Sequence, residues 1–182
     1  MRVFGIVGWS GSGKTTLLSL LIPALVGQGI RVSTIKHAHH AFDIDHPGKD
    51  SHTHRLAGAS EVMVGSGQRW ALMHELRNEP EPNLAELLAR MSPVDLVLVE
   101  GFKRDAFPKL EIHRPANGKP LLQPDDTTII SVASDAALTL PVPLLPLDDI
   151  AAIARFVLAH AVPVHSFTTH AAERHQCNLT KV

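Results

Sequence analysis

The chain has 182 residues, 45% of them hydrophobic and 19% charged, with a formal net charge of −1. That balance describes an ordinary globular domain large enough for a core, and it supplies neither a basic field for nucleic acid nor a basic amphipathic helix for a membrane. The single cysteine, Cys177, excludes an internal disulfide framework and fits a reducing compartment. With no signal peptide visible ahead of the first strand, a cytoplasmic protein is expected.

Taken in order, the apolar run Val3–Val7 predicts a strand, and "GWSGSGKTT" at residues 8–16 follows it directly. Gly8, four intervening residues, Gly13, Lys14 and Thr15 satisfy G-x-x-x-x-G-K-[ST]. The glycines let the backbone curl so that successive N–H groups form a cup for phosphate oxygens, reinforced by the positive end of the next helix. The nucleotide-binding candidates are Ser10, Gly11, Ser12, Gly13, Lys14, Thr15 and Thr16. Lys14 is placed to reach the β- and γ-phosphates and Thr15 to bind Mg²⁺. "TTLLSLLIPALVGQG" reads as a helix closed by Gly27 and Gly29. Pro23 interrupts it, and it is too short to span a bilayer.

"RVSTIKH" gives a second strand ending near Lys36, followed by a polar loop from His37 to Lys49. That loop brings Asp43, Asp45 and Lys49 close to Asp50 in sequence, and Asp45 is the preferred switch or metal-side acid. Six histidines fall between His37 and His54, but their spacings match no standard zinc pattern and no cysteine is nearby. They predict a polar loop contacting an anionic ligand or a partner. "KDSHTHRLAGA" predicts a short helix with Asp50 or Ser51 as N-cap. A hairpin is expected next, Ser60–Val64 and Arg69–Glu75 about a Gly65-Ser66-Gly67 turn. "NLAELLARM" has helical spacing; "VDLVLVEG", "KLEIHR" and "TTIISVASD" are strands; "VPLLPLD" leads into a last helix over Asp149–His160. This alternation predicts an α/β fold, a P-loop NTPase-like three-layer sandwich with a mostly parallel central sheet plus a β-hairpin extension. The domain spans 1–161, and 162–182 is expected to be a flexible tail.

A triphosphate site needs a carboxylate for Mg²⁺ at the ligand edge of the sheet. "VDLVLVEG" offers Asp95 and Glu100, about 16 Å apart along an extended strand, so both cannot serve one metal. Ligands gather at the carboxyl ends of parallel strands, which selects Glu100 and leaves Asp95 at the opposite edge. Lys14 and Glu100 are therefore the catalytic candidates. Lys36, Arg55 and Lys103 are cations that could stabilise phosphate or a switch. Asp135, closing "SVASD", could accept from the N1 and N2 groups of guanine, which adenine does not offer.

The combination of "WSGSGKTTLL", "IKHAHH", "DIDHPGKDSHTHRLAGA", "QRWALM", "DLVLVEGFK" and "VASD" resembles the molybdopterin-guanine dinucleotide biosynthesis protein B (MobB) family, over roughly residues 1–161. The resemblance implies a homodimeric GTP-binding accessory protein with feeble GTPase activity. It would assist a guanylyltransferase that joins GMP to molybdopterin in making the guanine dinucleotide form of the molybdenum cofactor. GTP and Mg²⁺ are the implied ligands. A small-molecule P-loop kinase, a metallochaperone GTPase and a nucleotide-gated binding module without turnover are the alternatives. No arginine-rich lid supports the first, and no residue stands out to orient an attacking water. The tail has no counterpart in the resemblance. Its histidines, with His160, His165, His170 and His175 at steps of five, share no face of a helix or strand. Residues 165–182 are therefore expected to form no shared metal site and to be dispensable for GTP.

Overall fold

The computed structural model describes residues 1–38 and 42–165. The expectations for the tail beyond His165, and for His39 and His40, lie outside the described residues. In chain order the elements are β1 (Arg2–Val7), α1 (Lys14–Val26), β2 (Val32–Lys36), α2 (Asp50–Leu56), β3 (Glu61–Gly65), β4 (Trp70–His74), α3 (Leu84–Ala89), β5 (Leu96–Glu100), β6 (Lys109–His113), β7 (Ile129–Ser134), β8 (Leu144–Pro146), α4 (Ile150–His160) and β9 (Val162–Pro163). The chain forms two compact units: Met1–His37 together with the chain from Leu84 onward, and Ala38–Asn83.

In the larger unit the strands run β2-β5-β1-β6-β7-β8, all parallel. Strands so placed are covered on both faces, which is why β1 and β5 read as unbroken apolar runs. Phe4, Ile6, Leu96, Leu98, Leu110 and Ile112 form one buried face against α1 and α4. Val3, Val97 and Val99 point the other way, onto Phe107 and the α3 residues Leu84 and Leu88. Helices thus cover both faces of the sheet, giving the three expected layers. α3 is only six residues long. Its two fully buried leucines, each worth about 2 kcal/mol of burial, outweigh the weak stability of so short a helix.

Short β9 pairs antiparallel with β1, Val3 opposite Val162 and Arg2 opposite Pro163. Sheet pairing therefore extends past residue 161, where the sequence suggests that the domain ends.

β6 does not follow its own alternation. Lys109, Glu111 and His113 read as a solvent face, yet Lys109 and Glu111 are fully buried. Loops cover that face and satisfy both charges. The Lys109 ammonium donates to the carbonyls of Lys103 (3.1 Å) and Asp105 (2.6 Å), to the Asp126 carboxylate and to the Thr128 hydroxyl. Glu111 accepts from the N–H groups of Leu122 (2.8 Å) and Gln123 (2.9 Å). Burial lowers the Lys109 pKa and raises that of Glu111, the hydrogen bonds opposing each shift.

At the edge opposite the ligand side, Arg31 grips Asp95 through two side-chain hydrogen bonds of 3.1 Å, and its backbone N–H adds a third. The Arg31 side-chain hydrogen bonds are the main reason the Asp95 carboxyl falls to about 2. A depressed carboxylate contributes stability above its unfolded pKa and loses it as pH falls through the folded value. The stability difference between wild type and Asp95→Asn is therefore expected to hold at pH 5–7 and shrink progressively towards pH 2, as denaturant melts across that range will report.

The smaller unit contains α2 and the hairpin β3–β4, paired in register from Glu61 opposite His74 to Gly65 opposite Trp70. The N-cap of α2 is Lys49, not Asp50 or Ser51 as expected; Asp50 lies in the first turn, where its charge faces the positive end of the helix. Arg55 holds this unit's loop to its hairpin. Its guanidinium pairs with Asp43 (2.8 Å), Asp45 (2.9 Å) and Glu75 (3.2 Å). No helix among the described residues is long and apolar enough to cross a membrane.

Candidate functional site

The loop between β1 and α1 is built to present backbone N–H groups. Gly8, Gly11 and Gly13 all have positive φ, 145°, 79° and 95°. A Cβ on Gly8 would sit 2.5 Å from the Ile112 carbonyl oxygen, so the loop could not lie this close to β6 with any other residue. α1 opens at Gly13 with no side-chain cap and no acidic residue in its first turn. Its leading N–H groups and the positive end of its dipole are left for an external anion. Ser12 is buried, and its hydroxyl has no hydrogen-bond partner among the described residues. A buried hydroxyl without a partner is a donor that an anionic ligand's oxygen can satisfy.

Lys14 folds over this cup, donating to the carbonyls of Gly8 (3.0 Å) and Trp9 (2.8 Å). Burial lowers its pKa; the Glu100 charge opposes that shift, and Lys103 and Lys36 add to it. Glu100, Lys36 and Lys103 thus lie within electrostatic reach of Lys14. Glu100 ends β5 opposite Ile6 of β1 and Lys36 of β2, at the carboxyl edge where the phosphate loop begins. Asp95 is at the other end of the same strand. Beyond Glu100 the chain turns sharply: Gly101 has φ 95°, and a Cβ there would come within 2.8 Å of the His37 Cβ. That turn brings the Lys103 ammonium over the Trp9 ring, 4.7 Å from its centre. Thr15 is the second residue of α1 and exposed. A threonine hydroxyl and a carboxylate are hard oxygen donors, a set that suits Mg²⁺ rather than a softer metal.

On the other flank, Arg114 follows β6 directly. Its Nε donates to the Ser12 carbonyl (3.2 Å) and its Nη1 to Asp135 (2.6 Å), so it ties the phosphate loop to the end of β7. The same elements wall a cavity of about 570 Å³ lined by Gly13, Thr16, Arg114, Asp135, Leu145 and Asp148 among others. Asn117, whose buried amide nitrogen has no partner among the described residues, lies beside Gly11. Arg114, Asn117 and Asp148 are not among the residues selected from the sequence. The signal for Arg114 was its place at the carboxyl end of a strand, but only the strand order shows that this strand adjoins β1.

Asp45 and Arg55 belong to the smaller unit, where they pair with each other. Asp45 is thus engaged by an arginine and Arg55 by three carboxylates. Among the described residues no group of three or more histidine, cysteine or acidic side chains is arranged to hold a metal ion.

A parallel sheet between helical layers, with a glycine-rich loop leading from β1 into α1, defines a P-loop NTPase-like protein. Residues 3–135 match the family model described as molybdopterin guanine dinucleotide synthesis protein B, MobB. The chain is 48% identical over 159 residues to the molybdopterin-guanine dinucleotide biosynthesis adapter protein of Escherichia coli (strain K12), covering 86% of this chain and 91% of that one. It is 44% identical over 158 residues to the protein of the same name from Haemophilus influenzae, covering 85% and 86%. A crystal structure of a MobB homologue from Bacillus stearothermophilus superimposes with a TM-score of 0.64 at 26% identity, covering 91% of this chain and 99% of that one. The chain belongs to the MobB family.

Proposed function

We propose that this protein is a GTP-binding adapter in the biosynthesis of molybdopterin guanine dinucleotide. In this reading the loop from Ser10 to Thr16 holds the triphosphate, and Lys14 neutralises its β- and γ-phosphates. Thr15 and Glu100 hold Mg²⁺, which supplies charge neutralisation at the phosphates. Lys36 and Lys103 add positive field at the same point. The observation that carries the reading is the uncapped start of α1, wrapped by a left-handed glycine loop with a buried, unpartnered Ser12 hydroxyl in it.

Turnover is slow in this reading. Hydrolysis needs a group that orients water beside the γ-phosphate, and the carboxylate whose charge acts on Lys14, Glu100, is occupied with the metal. The protein then works mainly by being loaded with nucleotide. It acts in the cytoplasm as a homodimer beside the guanylyltransferase that attaches GMP to molybdopterin. The relatives' names support the pathway. Titrating GTP, ATP and xanthosine triphosphate (XTP) with and without Mg²⁺, and following phosphate release, tests the reading. Tight, Mg²⁺-dependent binding of GTP with turnover well below an ordinary enzyme's is the expected result. Absence of triphosphate binding overturns it.

A further inference from the structure

The cavity beside the phosphate loop contains two carboxylates in different circumstances. Asp135 donates nothing and accepts a 2.6 Å hydrogen bond from Arg114, which also holds the Ser12 carbonyl. Its charge is matched, and its position serves a strut between β7 and the phosphate loop. Asp148 lines the same cavity just before α4, exposed, with no side-chain hydrogen bond or ion pair among the described residues. Its neighbour Asp149 is the residue that caps α4, accepting from the Ala152 N–H at 2.8 Å. Capping therefore accounts for Asp149 and leaves Asp148 without a structural role.

The cavity is continuous with the cradle, because Gly13 and Thr16 belong to both. In the GTP reading, this adjoining cavity is the space open to the nucleoside of a triphosphate seated on the loop. The apolar wall, from Leu17, Leu20 and Leu145, suits the flat face of a base. We propose that Asp148 is the residue that selects the base, and that Asp135 acts as a positioning residue through Arg114. This rests on the reading of the site as a GTP site. A carboxylate is acceptor-only, and guanine offers two adjacent donors, N1–H and the 2-amino group. Adenine presents an acceptor at N1 and nothing at C2. Xanthine keeps N1–H but replaces the amino group by an acceptor oxygen, which a carboxylate repels. An asparagine at 148 reverses that last preference, because its carbonyl accepts from N1–H while its amide donates to O2.

The experiment measures affinities for GTP, XTP and ATP with Mg²⁺ on wild type, Asp148→Asn and Asp135→Asn. In Asp148→Asn the ratio of GTP to XTP affinity should fall by roughly 10- to 100-fold, the worth of one paired base contact. Asp148→Ala should lose the preference mainly by weakening GTP, with XTP gaining less than in Asp148→Asn because no amide donates to O2. Asp135→Asn should weaken all three nucleotides alike, since it loosens the strut rather than the base contact. If wild type binds GTP tightly but Asp148→Asn keeps its preference unchanged, or Asp135→Asn is the variant that shifts it, the assignment of Asp148 is overturned. Failure of wild type to bind any triphosphate instead removes the GTP reading itself, so the two failures are distinguishable.

Discussion

Lys14→Ala should lower GTP affinity by about two orders of magnitude, the value of a charge-assisted contact to phosphate, and leave the fold intact. Among the described residues the Lys14 ammonium donates only to the carbonyls of Gly8 and Trp9, inside its own loop, and it belongs to neither apolar core. Its loss removes the positive charge at the cup while the helix N–H groups remain. Part of the binding therefore persists, as weak affinity with reduced dependence on the γ-phosphate. Isothermal titration of GTP and GDP into wild type and variant, beside a thermal melt, measures both effects. A folded Lys14→Ala protein with wild-type GTP affinity would remove the basis of the proposed function. Lys14→Arg is a useful companion: it keeps the charge but places a wider, planar group between Glu100 and the loop carbonyls, so it should bind more weakly than wild type and better than the alanine variant.

The phosphate loop was legible because its chemistry is local: glycines, lysine and threonine at fixed spacing between a strand and a helix. The place of Glu100 at the carboxyl edge of the sheet was legible for a related reason, since a strand has only two ends and ligands of parallel sheets gather at one. Strand order is a different kind of fact. Nothing in "KLEIHR" says that β6 lies beside β1, and the place of Arg114 against Ser12 follows only from that adjacency. The same gap hid Lys109 and Glu111. The strand pattern alone does not show that loops from elsewhere in the chain cover them and provide their partners. Arg55 was read as a possible phosphate or switch contact because its three carboxylate partners, Asp43, Asp45 and Glu75, lie elsewhere in the loop and after the hairpin. Side chains whose roles depend on distant segments are those that a linear pattern misses.

Glu100→Gln should reduce the Mg²⁺ dependence of GTP binding, lowering apparent metal affinity roughly 10- to 100-fold, with hydrolysis falling in step. Glutamine keeps the shape and an acceptor oxygen but removes the negative charge that a hard divalent cation requires. It also removes the one charge that opposes the lowering of the Lys14 pKa, so Lys14 should titrate at lower pH in the variant. Because burial and the neighbouring cations Lys103 and Lys36 then act unopposed, triphosphate affinity should decline at a lower pH than in wild type. Asp95→Asn is the control on the same strand. It breaks the Arg31 pair at the far edge and should leave both Mg²⁺ dependence and the alkaline limb unchanged. Mg²⁺ titrations at fixed GTP, repeated from pH 7 to 10 for the three proteins, separate the two ends of β5. Equal loss of Mg²⁺ dependence in Asp95→Asn would mean that the metal is held elsewhere than at the carboxyl edge of the sheet.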